Sequence, residues 1–550
     1  MSVESCFARH RRLIVGVMTA VLVAPLVGLS ARQAVPAGPR FEVSFSAAAR
    51  SEPVTGRAYV AISRPGERRT PIQQAGPTGA PLFAVNVEGL APGQPATIGP
   101  DVFGHPLGSL TDLPPGEYVA QPFVNVYTKF ARADGHTVWL HMDQWEGQDW
   151  KQSPGNLYGD PITIRVDGSN PAPIRLVADK VIPPVEVPAD TEYVRRIKIQ
   201  SDILTRWWGH PIYLGATVLV PKGFDEHPNV KYPVVYSQGH FSLGAPGGFG
   251  RDQAFTSWWQ AEGTPRMLYV TLQHPSPYYD DSYGVNSENN GPFGDAIIRE
   301  LVPAVEREFR AIGEPWARIL TGGSTGGWIA MAHQVFYPDF YGGTFALCPD
   351  SVDFRYHQIV NIYEDENAYW LDRGWMKIER PNQRRPDGNI QSMMKDENWY
   401  ELVAGDKSRS GGQWDIWEAT YGPVGPDGYP KRIWDKRTGV IDKTVAEYWK
   451  EHYDLRHILE RDWTVLGPKV AHKLHVYIGD MDSYYLNMGV RMLDELFGER
   501  AKDPPFTGEV VFQPMAPHCW GPRSTELFAK MVAQVERYAP RGADLTSWKY

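Results

Sequence analysis

The sequence predicts an α/β protein in which a mostly parallel sheet carries helices on both faces, with a β-sandwich-like segment ahead of it. Three observations carry this. From Phe41 to about residue 170 the chain runs in short stretches of alternating apolar and polar residues, split by turn residues. After Tyr193, strand-like apolar runs alternate with longer helical patterns. In 318–332, "RILTGGSTGGWIAMA", a serine sits between glycines, after an apolar run and before a helix-like one.

The chain has 550 residues, too many for one ordinary domain. Its 55 basic and 64 acidic residues give a net charge of −9, which argues against a nucleic-acid partner. Residues 1–31 read as a secretory signal. "RHRR" precedes the apolar run Leu13–Leu29, and the small residues Gly28, Ser30 and Ala31 follow. This predicts a secreted or periplasmic protein, with a retained N-terminal membrane anchor as the alternative. No later stretch is long and apolar enough to span a membrane.

The all-β segment is expected over 41–187 as an Ig-like sandwich. Its strand-like runs include "FEVSFSA", "GRAYVAISR" and "GEYVAQPFVNVYT". The Pro-rich stretch Val181–Asp190 reads as a stiff linker. The second domain is expected over 190–550. "YVRRIKIQSDIL" and "YLGATVLVPKGF" read as paired strands, and "YPVVYSQG" as a buried strand ending in glycine. In "DAIIRELVPAVEREFRAI" the residues Ile298, Leu301, Val302, Val305 and Phe309 share a helical face, which Pro303 should kink or restart.

Gly322-Gly323-Ser324-Thr325-Gly326 fits G-x-S-x-G between a strand and a helix. Such an elbow holds serine on a strained turn with its hydroxyl exposed, and glycines at 322 and 326 remove side chains that would clash. A serine hydroxyl needs a base to take its proton, and the base needs a carboxylate to orient it. Downstream, "KLHVYIGDMD" offers Asp482 and Asp480 at a strand end, and "EVVFQPMAPHCW" offers His518 at another. Asp482 is preferred as the acid, with Asp480 as a loop-capping carboxylate. Asp350, after "ALCP", is a third candidate whose plainer reading is a turn residue. For the oxyanion, one donor is the backbone N–H of Thr325. The other is that of His240 in "YSQGHF", with Phe241 as the alternative.

On these stretches, Tyr193–Tyr550 resembles the putative-esterase branch of the α/β-hydrolases, which includes esterase D, feruloyl esterases and enterobactin esterase. The elbow-centred block "DAIIRELVPAVEREFRAIGEPWARILTGGSTGGW" carries most of the likeness. The resemblance implies nucleophile Ser324, acid Asp482, base His518, and no cofactor. It also implies an ester substrate, either a small molecule or linked to polysaccharide. One departure is that Gln238-Gly239 stands where the family often has His-Gly.

About 110 residues separate "PDSVDF" from "KLHVYI", far more than a compact hydrolase needs. This insertion, about 355–465, holds Trp370, Trp375, Trp399, Trp414, Trp417, Trp434, Trp449 and Trp463. They form either a lid or wall of the substrate cleft or the insertion's own small core. No zinc signature occurs; His472 and His475 read as strand-edge residues. The acidic stretches "YEDENAYW" and "YYDDSYGVNSENN" read as solvated loops. Cys6 lies in the targeting segment, and Cys348 and Cys519 are expected to be separate buried thiols rather than a bridge. The reading is therefore an exported serine hydrolase of carboxylic esters. Acyl transfer to a sugar or lipid hydroxyl, peptide hydrolysis and non-catalytic binding are the competing readings.

Overall fold

The computed structural model describes residues 38–142, 145–167 and 172–550. The signal expected over 1–31 lies outside the described residues. Ala37–Tyr550 forms one compact unit. Among the described residues no helix is long and apolar enough to cross a membrane.

The sheet that follows Tyr193 has eight strands. In chain order they are β1 (Val194–Gln200), β2 (Tyr213–Leu219), β3 (Val234–Gln238), β4 (Leu268–Gln273), β5 (Arg318–Gly323), β6 (Gly343–Leu347), β7 (Leu474–Gly479) and β8 (Glu509–Gln513). Across the sheet they run β1-β2-β4-β3-β5-β6-β7-β8. The β1–β2 and β2–β4 pairs are antiparallel, and every other pair is parallel. This is the α/β-hydrolase fold. Its central strands are continuous apolar runs because helices cover both faces. Ile319 and Leu320 of β5, Val235 and Tyr236 of β3, and Phe345 and Ala346 of β6 are all buried.

One local reading changes. "YVRRIKIQSDIL" is a strand only as far as Gln200. The Ser201 side chain then accepts the N–H of Leu204 and caps a helix over Asp202–Trp208, so cap chemistry ends the strand. The stretch around Pro303 does restart. A widened turn over Ile297–Leu301 gives way to an α-helix over Val302–Glu308, as the missing proline N–H requires.

Ahead of this sheet, Phe41–Phe45, Ala96–Ile98 and Ile174–Ala178 form a three-stranded sheet. A larger sheet is built around the long strand Gly116–Ala131 and its neighbour Val54–Ser63. Residues of both sheets, among them Phe41, Val43, Val60, Ile62 and Val124, enclose one apolar core. Burial alternates strictly along Phe41–Phe45, as period two demands. The larger sheet also touches the insertion. Arg57 Nε donates to Val403 O at 2.9 Å, Tyr59 OH to Ala404 O at 2.6 Å, and Asn86 Nδ2 to Asp406 Oδ2 at 2.6 Å.

The insertion between β6 and β7 carries helices over Met394–Ala404, Gln413–Tyr421, Lys443–Tyr453 and Leu455–Val470. Five of its tryptophans, Trp414, Trp417, Trp434, Trp449 and Trp463, are buried, whereas Trp375 is fully exposed. Four of the buried rings pack around His357. They are therefore largely a core of the insertion, though Trp414 and Trp417 also reach the cavity described below.

The expectation of two free thiols is corrected: Cys348 and Cys519 are disulfide-bonded, with Cα atoms 4.8 Å apart. They follow β6 and β8, which β7 separates in the sheet. The loop after β8 crosses the end of β7, so closely that a Cβ on Gly479 would lie 2.2 Å from Ala516 O. That crossing carries Cys519 back to Cys348. The bond closes a separation of 171 residues, a constraint contributing about 2–4 kcal/mol.

Candidate active site

The loops after β3, β5, β6, β7 and β8 carry His240, Ser324, Asp350, Asp482 and His518. All five strands run parallel, so these loops leave the same edge of the sheet, where open α/β sheets place ligands.

Ser324 stands between β5 and the helix Thr325–Phe336 with φ 56° and ψ −121°, a conformation rare for a residue with a side chain. Its N–H donates to Leu347 O at 3.1 Å, and its carbonyl accepts Trp328 N–H at 3.1 Å. Close backbone packing explains the flanking glycines. A Cβ on Gly326 would lie 2.0 Å from Gln238 O, and one on Gly322 2.3 Å from Gly326 O. Gly326→Ala therefore has to push β3 and the elbow apart. We expect it to destabilise the fold by about 1–3 kcal/mol in urea unfolding. Unchanged stability would contradict this packing.

His518 Nδ1 meets Asp482 Oδ2 at 2.7 Å. The Asp482 side chain is fully buried. Its other oxygen accepts the backbone N–H of Tyr484 at 2.9 Å and of Leu486 at 3.2 Å. Asp480 is turned to another task. Its Oδ1 accepts Met515 N–H at 2.6 Å and so ties down the loop that carries His518.

Ser324 and His518 line one cavity of about 510 Å³. Within it the Ser324 hydroxyl donates to Asp350 Oδ1 at 3.2 Å. Asp350, read from the sequence as a turn residue, is only 4% exposed and sits at the centre of a network. Its Oδ2 accepts from Tyr283 OH at 2.6 Å, Thr325 Oγ1 at 3.2 Å and Gln413 Nε2 at 3.4 Å. Burial pushes the Asp350 carboxyl above the usual range, against the pull of these hydrogen bonds and of His518 and His240. The one sequence signal for it was its place three residues beyond a strand of the catalytic edge.

Thr325 is the first residue of the helix after Ser324, where backbone N–H groups have no intrahelical acceptor. Gln238, at the family's histidine position, is buried, and its Oε1 meets His274 Nε2 at 3.0 Å. His240 lines the cavity with its ring half exposed, Nδ1 lying 3.1 Å from Asp280 Oδ1 and 3.6 Å from Asp281 Oδ2. Desolvation opposes its charge, but the Asp280 hydrogen bond and the charges of Asp280 and Asp281 outweigh it. The imidazole is raised from 6.5 to about 9. A raised histidine adds stability that is full below the ordinary 6.5 and is lost as the pH rises through about 9. The urea midpoint should therefore fall across that window in the native chain and fall less in His240→Gln. Equal falls would contradict the pairing.

Residues 214–410 match the family model described as a putative esterase. This stretch is an esterase domain. No curated protein matches the chain. Among solved structures, parts of the chain resemble a ferulic acid esterase at 14% identity, covering 62% of this chain and 96% of that one, with a TM-score of 0.35. They also resemble an S-formylglutathione hydrolase from Agrobacterium tumefaciens at 13% identity, covering 63% and 97%, with a TM-score of 0.34. A third is the fluorophosphonate-binding serine hydrolase F of Staphylococcus aureus, at 12% identity, covering 62% and 98%, with a TM-score of 0.33. The match of this stretch supports a carboxylic ester hydrolase.

Proposed function

We propose that the protein is an exported serine esterase that works through an acyl-enzyme, with Ser324, His518 and Asp482 as its triad. The observation that carries this is the strained Ser324 elbow opening into the same cavity as an imidazole held by a buried carboxylate.

On this reading Ser324 Oγ attacks the ester carbonyl while His518 Nε2 takes its proton. Asp482 fixes the ring with Nε2 toward the serine and stabilises the imidazolium that forms. The N–H groups of Thr325 and His240 stabilise the oxyanion. His518 then delivers the proton to the leaving alcohol, and water, deprotonated by the same ring, releases the acid. The domain division belongs to the same reading, with an Ig-like segment over 41–187 and the catalytic domain over 190–550. Export is supported by the signal-like residues 1–31 and by a disulfide, which suits an oxidising compartment.

A p-nitrophenyl ester and the matching p-nitroanilide test it. The ester should give a burst of nitrophenol stoichiometric with protein, and the anilide should react far more slowly. Comparable turnover of both would favour peptide hydrolysis instead.

A further inference from the structure

The wall of the cavity beside Ser324 is rich in carboxylates. Asp350 and Glu397 bring carboxylates, and neither Lys nor Arg is among the lining residues described. Gln358 and Asn382 also line it, each 4% exposed, and among the described residues Gln358 Oε1 and Asn382 Oδ1 have no hydrogen-bond partner. The basic groups present are hydrogen-bonded to other carboxylates, His518 to Asp482 and His240 to Asp280, and act on Asp350 only through their charge. Glu401, a third carboxylate of the lining, is already answered by Lys436 Nζ at 2.9 Å and by the N–H groups of Trp414 and Asp415. Trp414 and Trp417 add aromatic surface of the kind that also attracts cations.

Asp350 fixes where the missing donor belongs. Among the described residues, the Ser324 hydroxyl is the one donor to Asp350 Oδ1. When Ser324 gives its proton to His518 and becomes acylated, that hydrogen is gone. A buried carboxylate oxygen is then left unpaired beside a developing oxyanion, which it repels. An ammonium two bonds from the acyl carbon would lie within hydrogen-bond reach of Oδ1. It would replace the lost donor and offset the repulsion. Burial raises the carboxyls of both Asp350 and Glu397, the first against the pull of His518 and His240 and the second against hydrogen bonds from Ser392 and Asn382.

We propose that the cavity is built for esters carrying an ammonium group within two or three bonds of the scissile carbonyl, with Asp350 and Glu397 as its counter-charges. This rests on the esterase reading for its chemistry, but the binding of the cation does not.

Calorimetry with the full-length Ser324→Ala chain tests binding alone, at about pH 6.5, where an α-amino group is charged. L-alaninamide should bind about tenfold or more tightly than propionamide, the factor expected of charge recognition in a desolvated site. Equal affinities, or no binding of L-alaninamide, would overturn the proposal. Asp350→Asn and Glu397→Gln, each in that background, should reduce the preference severalfold. A preference untouched by both would overturn the assignment, and the second variant keeps the test alive if the first does not fold. With the native chain, L-alanine ethyl ester should exceed ethyl propionate in kcat/KM by a similar factor. Ethyl propionate turned over as fast, and lost in Ser324→Ala, would leave the esterase reading standing and sink the cation site. A preference in calorimetry without hydrolysis of either ester would do the reverse.

Discussion

Ser324→Ala should lower kcat for ester hydrolysis by ~10⁴–10⁶-fold while leaving the fold intact. On the proposed reading the hydroxyl is the atom that attacks, so its removal leaves only what the oxyanion donors and binding supply to a water reaction. The elbow itself should persist. It is held by the backbone hydrogen bonds of residue 324 and by the close approach of Gly326 to Gln238 O, neither of which involves the hydroxyl. Steady-state kinetics beside a urea unfolding curve separates the two effects. A variant that kept a tenth of the native kcat would remove Ser324 from the chemistry.

Asp482→Asn should cost ~10³–10⁴-fold in kcat, and Asp480→Asn much less. The difference follows from what each carboxylate holds. Asp482 Oδ1 is pinned by two backbone N–H groups, which leaves Oδ2 to face His518 Nδ1. An asparagine kept in that orientation would present its NH₂ to Nδ1. The imidazole would then carry its proton on Nε2, where it cannot accept one from serine. Asp480 accepts the N–H of Met515, a contact that an amide oxygen can still make. The larger loss in Asp480→Asn would mean that the acid has been misassigned.

The elbow was legible in the sequence because its determinants are local. Gly322, Ser324 and Gly326 lie within five residues, with an apolar run before them and a helix-like run after. The alternation of strand and helix placed Asp482 and His518 at strand ends for the same reason. What escaped depends on chain crossings. Cys348 and Cys519 meet because one loop passes over the end of β7, a path that no spacing encodes. Asp350 looked like a turn residue because a carboxylate after a proline usually is one. Its partners Tyr283, Thr325 and Gln413 come from three separate segments. The tryptophans of the insertion could not be divided between wall and core, since only packing shows that Trp434 and Trp449 close on His357 while Trp414 and Trp417 do so and also reach the cavity. The strand that ends at Gln200 was overrun because the Ser201 cap was not recognised.

The central claim is that Ser324 is an activated nucleophile. Labelling the native chain with a fluorophosphonate and mapping the modified peptide tests it most directly, because that reagent reacts with serines whose proton a neighbouring base removes. The account predicts one adduct, on Ser324, absent from Ser324→Ala and strongly reduced in His518→Ala. An unlabelled native chain, or an adduct on another residue that persists in Ser324→Ala, would contradict it.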